Sequence, residues 1–272
     1  LTIDLGMVDL ESIKGRALKV GASKALTVDG KETLVKEFLF PALQAGAIYE
    51  ERYPLATALG RPLIARYMAE AALAEGAYAI AHGCTGKGND QVRIEVGIAA
   101  LAPELKIIAP IREWGMSRDD EIEYGQARNL PINAIQSRFS VDENLWGRSA
   151  EAGELEDPWV EPPEDAFSWT KPISDTPDDP GYLEIHFEQG LPIAIDGEEM
   201  DGVALISHLN TLAGLHGVGR IDHLENRLVG IKSREIYEAP AAAILHAAHN
   251  AVETLTLTKE QARTKAHLAR EY

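Results

Sequence analysis

The first half of the chain alternates between two hydrophobic periods, and this alternation constrains its fold more than any other feature. Five short strand-like runs, "LTIDLG", "KALTVD", "YAIAHG", "LKIIAP" and "INAIQ", are separated by segments with helical periodicity. Strands that alternate with helices are typical of a mostly parallel sheet with right-handed crossovers, whose ligands bind beyond the carboxyl ends of the strands. We therefore predict an α/β domain for residues 1–136.

The second half of the chain, residues 137–272, has a different pattern. "YLEIHF" and "PIAIDG" flank "EQG" and predict a hairpin, "RIDHLENRLVGIKS" predicts strands, and "VALISHLNTLAG" and "APAAAILHAAHNAVETLTL" predict helices. Residues 151–180 are acidic and rich in proline, which favours an extended, solvated connector over a binding segment. We expect an α+β domain here, and so two domains in all.

Composition narrows the class of protein. No apolar run approaches the roughly 18 residues that a membrane span requires. A net charge of −17 argues against a nucleic-acid-binding surface. A single cysteine excludes an internal disulfide, so we expect a reducing, cytoplasmic location with neither membrane nor nucleic acid as partner.

The stretch "AHGCTGKGND", residues 81–90, is the most suggestive local motif. Its glycines fit neither the P-loop nor the dinucleotide-binding spacing, which leaves an anion-binding nest and a tight structural turn as equal alternatives. Asn89 and Arg93 are four residues apart on one helical face and could together bind a carboxylate. Asp90 could accept a hydrogen bond from an amine. A site for an amino acid follows.

Metal binding is not predicted. His82 and Cys84 lack a second pair of ligands, so a packed or hydrogen-bonded role is favoured over zinc. His246 and His249 share a helix face, but the sequence offers no evident third ligand.

Seven ordered blocks in the sequence resemble the argininosuccinate synthase family. Besides "AHGCTGKGNDQVRIE", they are "GAIYEERYPLATALGRPLIA", "APIREW", "FSVDENLWGRS", "LEDPW" and "GVGRIDHLENRLVGIKSREIYEAP", followed by "AVETLTL". The resemblance implies a nucleotide-binding domain of the N-type ATP-pyrophosphatase kind, followed by an α+β synthetase domain that serves in multimerisation.

The resemblance also implies which residues bind the substrates. Ile3 and Gly83 would contact ATP, and Thr85, Asn89 and Asp90 would hold aspartate. Citrulline would contact Asn89 together with Tyr53, Arg93, Ser140, Ser149, Glu225 and Tyr237. Lys87 could offset charge near phosphate. No catalytic acid or base is assigned.

The implied reaction is the ATP-dependent ligation of citrulline and aspartate to argininosuccinate, in arginine biosynthesis. The citrulline ureido oxygen attacks the α-phosphorus of ATP and expels pyrophosphate, and the aspartate amine then displaces AMP from the citrullyl adenylate. Mg²⁺ would accompany ATP, and the family suggests a homotetramer.

Differences from the family leave alternatives open. Family members begin with a strand and a loop resembling "AYSGGLDTS", which grips the pyrophosphate of ATP, and they continue past "LAREY" into a C-terminal helix. This sequence shows neither. Both domains are therefore expected to be incomplete, and a non-catalytic citrulline- or aspartate-binding remnant is a second hypothesis. A third hypothesis is a different ATP-pyrophosphatase ligase. The blocks at 140–149 and 225–237, which resemble the citrulline site of the family, argue against it.

Overall fold

The computed structural model describes residues 1–6, 9–86, 88–116, 118–130 and 138–272. Two compact units interleave along the chain. Unit 1 comprises Leu1–Gly30, Gly60–Ser137 and Arg227–Ile231, and unit 2 comprises Lys31–Leu59, Arg138–Asn226 and Lys232–Tyr272. Residues 31–59 thus belong to the same unit as most of the second half of the chain.

The described residues form the following elements. The strands are β1 (Thr2–Asp4), β2 (Thr27–Asp29), β3 (Ala79–Ala81), β4 (Lys106–Ile108), β5 (Ser140–Asn144), β6 (Gly147–Glu151), β7 (Ile185–Glu188), β8 (Leu191–Ile195), β9 (Glu198–Glu199), β10 (Arg220–Asn226) and β11 (Lys232–Glu238). The α-helices are α1 (Leu10–Lys19), α2 (Lys31–Leu34), α3 (Phe40–Ala45), α4 (Ala56–Ala74), α5 (Asp90–Leu101), α6 (Pro110–Trp114), α7 (Arg118–Ala127), α8 (Gly202–Leu215), α9 (Pro240–Thr256) and α10 (Lys259–Glu271). A π-helix (Val35–Leu39) joins α2 to α3.

Parallel strands in unit 1 confirm the predicted fold class. β1 pairs with β2, with Thr2 opposite Thr27, and β3 pairs with β4, with Ala79 opposite Lys106. Both pairs are parallel, as expected when a helix connects consecutive strands. The fifth predicted strand, "INAIQ", lies outside the described residues.

Helices α4 and α5 pack on β3 to form the core of unit 1. Eight buried residues make up this cluster: Ala65, Ala69, Ala72, Ile80, Ile94, Ile98, Ala102 and Leu105. Small residues bring the two helices together, because a Cβ atom on Gly97 would lie only 2.7 Å from the Cβ atom of Ala65. The helix that begins at the predicted substrate loop is therefore firmly anchored.

Residues with suitable capping properties lie at both ends of α1. Asp9 is the N-cap, and its side chain accepts a hydrogen bond from the backbone N–H of Ser12. Gly21 follows the helix with a φ of +100°, a conformation that favours glycine. The apolar side chains of α1 are only partly covered, because Leu18 is 48% exposed.

Antiparallel sheets dominate unit 2. One sheet has four strands in the order β10-β11-β6-β5, and a second has the order β7-β8-β9. The predicted hairpin is confirmed as β7 and β8, which are antiparallel. The two predicted helices are α8 and α9. No helix in the described ranges is both long and apolar enough to span a membrane.

The segment 151–180 is tied into unit 2 by a buried carboxylate. Glu238 at the end of β11 is 0% exposed and accepts hydrogen bonds from the backbone N–H groups of Ser168, Trp169 and Thr170, each at 2.9 Å. Arg148 pairs with the same carboxylate at 3.0 Å. This part of the predicted connector is therefore fixed structure rather than a solvated loop.

Candidate functional site

The predicted substrate loop lies in unit 1, between the end of β3 at Ala81 and the start of α5 at Asp90. It therefore leaves the carboxyl end of a parallel strand, where ligands bind in α/β folds. Gly83 and Thr85 are both exposed in this loop. Lys87, which was predicted to offset phosphate charge, lies outside the described residues.

The geometry around Gly83 gives no structural reason for a glycine. Its φ is not positive, and a Cβ atom built on it would meet no atom within 4 Å. An alanine would thus fit the fold at this position. A ligand that approaches the backbone closely would explain why glycine is present.

Asn89 immediately precedes α5, and its side chain is oriented by a second part of unit 1. Its Oδ1 atom accepts a hydrogen bond of 2.8 Å from the backbone N–H of Leu228. Leu228 belongs to the short segment 227–231, which is far from Asn89 in sequence. This bond fixes the direction of the Asn89 amide.

Two guanidinium groups flank the carboxylate of Asp90. Arg61 Nη2 lies 2.7 Å from Oδ2, and Arg93 Nη1 lies 3.1 Å from Oδ1. All three side chains are partly buried, with exposures between 18% and 29%. Arg61, a residue not identified from the sequence, thus joins Arg93 at the carboxylate of Asp90.

Ile3 lies in β1, where it pairs with Val28 of β2. Its side chain lines an apolar groove of about 490 Å³ with Ile64, Met68 and Ile80. The surroundings of Ile3 are therefore apolar. Its predicted contact with ATP stays a prediction.

Four of the predicted citrulline residues lie on one face of the four-stranded sheet of unit 2. Tyr237 in β11 is directly opposite Ser149 in β6, and Glu225 in β10 is opposite Ser233. Ser140 is two residues before Asp142, the partner of Ser149. Because side chains alternate between faces along a strand, the register puts Ser140, Ser149, Glu225 and Tyr237 on the same side.

Tyr53 covers this face by stacking on Tyr237. The ring centroids are 3.7 Å apart and the ring planes differ by 13°. The Tyr53 hydroxyl accepts a hydrogen bond of 3.2 Å from the backbone N–H of Thr57. The Tyr237 hydroxyl donates to Glu225 Oε2 at 2.6 Å. Three residues from two separate sequence blocks thus form one buried cluster.

Burial controls the protonation of both tyrosines. Tyr53 and Tyr237 are each 3% exposed. Burial, followed by smaller effects that include the nearby carboxylates Glu225 and Glu235, raises the pKa of both hydroxyls well above the ordinary value. Both are therefore neutral at physiological pH, and Tyr237 acts as a hydrogen-bond donor rather than as a base.

Acidic residues on the same face were not identified from the sequence. Glu235 lies two residues before Tyr237 in β11, and Asp142 is opposite Ser149, whose hydroxyl contacts the Asp142 carbonyl at 3.5 Å. Strand alternation would have shown Glu235 and Tyr237 to share a face. Asp142 could be found only with the β5–β6 register. In the part of the chain that the structure describes, no group of three or more His, Cys, Asp and Glu could hold a metal ion.

Comparison with known proteins identifies the family of the chain. Residues 1–131 match the profile described as "Arginosuccinate synthase N-terminal HUP domain", and residues 139–272 match "Arginosuccinate synthase C-terminal domain". The argininosuccinate synthase of Dehalococcoides mccartyi is 58% identical over 267 residues, which are 97% of this chain and 66% of that protein. The enzyme of Trichodesmium erythraeum is 57% identical over 274 residues, covering 100% of this chain and 68% of that protein.

The chain belongs to the argininosuccinate synthase family. It spans about two thirds of the length of the curated relatives that it matches. The two matched domains confirm the resemblance read from the sequence blocks and the predicted fold class, a nucleotide-binding HUP domain followed by a synthetase domain.

Proposed function

We propose that this protein catalyses the ATP-dependent ligation of citrulline and aspartate to argininosuccinate in arginine biosynthesis, releasing AMP and pyrophosphate. The observation that carries the proposal is the high identity to argininosuccinate synthases along the whole chain. The clustering of predicted substrate residues within each unit supports it. No observation favours the non-catalytic remnant or a different ATP-pyrophosphatase ligase.

In unit 1, the start of α5 suits the binding of aspartate and ATP. The carboxylate of Asp90 would accept a hydrogen bond from the substrate ammonium group, and Arg93 would bind a carboxylate with its guanidinium. The exposed backbone at Gly83 and Thr85 would approach the phosphates and the aspartate. Holding the reactants in a fixed orientation is the main contribution that such a site makes to ligation.

In unit 2, the polar sheet face suits citrulline. The stacked rings of Tyr53 and Tyr237 would contact the aliphatic part of the substrate, while Glu225 and Ser149 would bind its polar ends. Both tyrosines are neutral, so they would orient citrulline through hydrogen bonds without adding charge. The group that removes the proton from the aspartate amine is not assigned.

ATP acts as co-substrate, and Mg²⁺ is proposed to accompany it. Mg²⁺ in nucleotide sites is usually held by phosphates with one or two carboxylates rather than by a protein cage. Bound to ATP, the ion would offset phosphate charge.

The test is to follow argininosuccinate by mass spectrometry and pyrophosphate by a coupled assay, with ATP, citrulline and aspartate supplied together or singly. Pyrophosphate release should require citrulline, and argininosuccinate should require all three. Asp90→Asn should raise the KM for aspartate about 10- to 100-fold, because one charged hydrogen bond is weakened. Asp175→Asn, at an exposed position of unit 2, is the matched control. Pyrophosphate release that ignores citrulline would overturn the proposal.

Further parts of the proposal concern assembly, location and domains. We propose a cytoplasmic homotetramer, which light scattering on the purified protein would test. The division into functional domains at 1–136 and 137–272 also remains a proposal, supported by the profile matches at 1–131 and 139–272.

A further inference from the structure

The substrate loop of unit 1 is held by a small network of side chains from α5 and α6. Arg112 in α6 uses one nitrogen, Nη1, to donate to two acceptors on α5. It donates to Glu95 Oε1 at 2.6 Å and to Gln91 Oε1 at 2.8 Å. Arg112 also packs against the loop, since a Cβ atom on Gly86 would lie 3.6 Å from Arg112 Cγ.

Each of the two acceptors is connected to the loop. Gln91 Nε2 donates to the carbonyl of Gly86 at 2.7 Å. Glu95 Oε1 lies 3.1 Å from Nε2 of His82, and the other ring nitrogen of His82, Nδ1, accepts from the backbone N–H of Cys84 at 3.3 Å. The network thus reaches the loop backbone at Cys84 and at Gly86, on both sides of Thr85.

Arg112 sets the direction of the Gln91 hydrogen bonds, and Glu95, which Arg112 holds in place, sets that of the His82 hydrogen bonds. An arginine can only donate, so the oxygen of the Gln91 amide must face it and the NH₂ group must face Gly86. An ionised carboxylate only accepts, so Glu95 accepts a hydrogen bond from the Nε2–H group of His82, and Nδ1 is left to accept one from the backbone N–H of Cys84. Gln91 and His82 are 7% and 8% exposed, which leaves them little freedom to choose other partners.

We propose that Arg112 is a positioning residue that sets the backbone of loop 82–86 and so presents Gly83 and Thr85 to ATP and aspartate. This inference rests on the proposed function for its effect on catalysis. Its structural part, the ordering of the loop, can be measured without turnover.

Cys84 provides the measurement that is independent of activity. It is the only cysteine in the chain, is partly buried and lies within the loop. Arg112→Met should increase the rate of Cys84 alkylation by iodoacetamide about tenfold, because the loop opens more often when its hydrogen bonds lose their direction. Arg112→Lys, which keeps a donor, should restore part of the protection. Lys24→Met removes an exposed ion pair elsewhere in unit 1 and is the matched control.

Kinetics supply the second measurement. Arg112→Met should lower kcat/KM for aspartate about 100-fold, since small misplacements of positioning groups have effects of this size. Arg112→Lys should recover part of that loss. The control, Lys24→Met, should keep the wild-type kcat/KM for aspartate. If Arg112→Met does not fold, Gln91→Met removes the bond to Gly86 and is measured in the same way.

The outcomes separate this inference from the proposed function. Alkylation and kcat/KM for aspartate both within twofold of the wild type in Arg112→Met would overturn the role of Arg112. A wild-type protein that forms no argininosuccinate would overturn the proposed function, whereas faster alkylation of Arg112→Met would still support the ordering of the loop by Arg112.

Discussion

The hydrogen bond from Tyr237 to Glu225 gives the sharpest test of the citrulline face. The two side chains are 3% and 6% exposed, and the oxygen atoms are 2.6 Å apart. Tyr237→Phe keeps the ring stacked on Tyr53 and removes only the hydroxyl. A hydrogen bond to a charged group contributes about 1.5–3 kcal/mol, so the free energy of unfolding should fall by about 2 kcal/mol at neutral pH.

A double-mutant cycle isolates this contribution. Urea unfolding of the wild type, Tyr237→Phe, Glu225→Gln and the double variant should give a coupling of about 1–2 kcal/mol, as expected for residues in direct contact. Tyr182→Phe is the matched control, because Tyr182 is 90% exposed in the same unit. That control should change stability by no more than about 0.5 kcal/mol.

The same variants connect stability to function. If Glu225 binds citrulline in the orientation set by Tyr237, Tyr237→Phe should weaken citrulline binding in calorimetry, while Tyr182→Phe should not. A loss of stability below about 0.5 kcal/mol, with coupling near zero, would refute the reasoning, since a buried carboxylate that loses its donor cannot remain equally stable.

Three further predictions concern other residues. Gly83→Ala should leave the thermal unfolding temperature unchanged, because the Cβ atom meets no neighbour, but should raise the KM for ATP; an unchanged KM would remove Gly83 from the site. Arg93→Lys should weaken citrulline binding in calorimetry, since a point charge replaces a planar fork, and unchanged affinity would argue against its role. Burial, aided by His249 and Lys265, lowers the pKa of His246 from 6.5 to about 4. The unfolded state therefore binds the proton more readily, and stability should decline by about 2 kcal/mol as the pH falls from 7.5 to 5. His246→Gln should flatten that decline in urea titrations, with exposed His208→Gln as control, and an equal slope in both variants would contradict the pKa shift.

Local patterns predicted the elements of the fold well, because hydrophobic period and capping are properties of neighbouring residues. The parallel pairs of unit 1 and the hairpin of β7 and β8 both follow from such patterns. The interleaving of the two units does not, since it depends on contacts between distant segments. The segment 151–180 shows the same limit. Its composition predicts a solvated connector, yet Glu238, some 70 residues away, binds its backbone at Ser168.

The candidate site was predicted from two sources of different strength. The chemistry of "AHGCTGKGND" and of the helix that follows it indicated Asn89, Asp90 and Arg93 without reference to any family. The structure brings Asp90 and Arg93 into contact. Tyr53 and Glu225 were singled out only by resemblance to a family, because an isolated tyrosine or glutamate carries no local signal. Neither the local sequence pattern nor the resemblance to the family indicated Arg61, since its salt bridge to Asp90 exists only in the folded chain.

The four-stranded sheet explains how structural and functional demands coexist in unit 2. In β6 and β11, Ala150 and Ile236 face a buried apolar cluster, whereas their neighbours Ser149 and Tyr237 face the predicted citrulline side. Alternation means that a slip of one residue in the β6–β11 register would exchange the two sets. The buried pair of Arg148 and Glu238 lies on the same side as the apolar cluster. A slip in register would move the Glu238 carboxylate to the other face, away from its hydrogen-bond partners. The residues that anchor segment 151–180 therefore also secure the register that presents Ser149 and Tyr237.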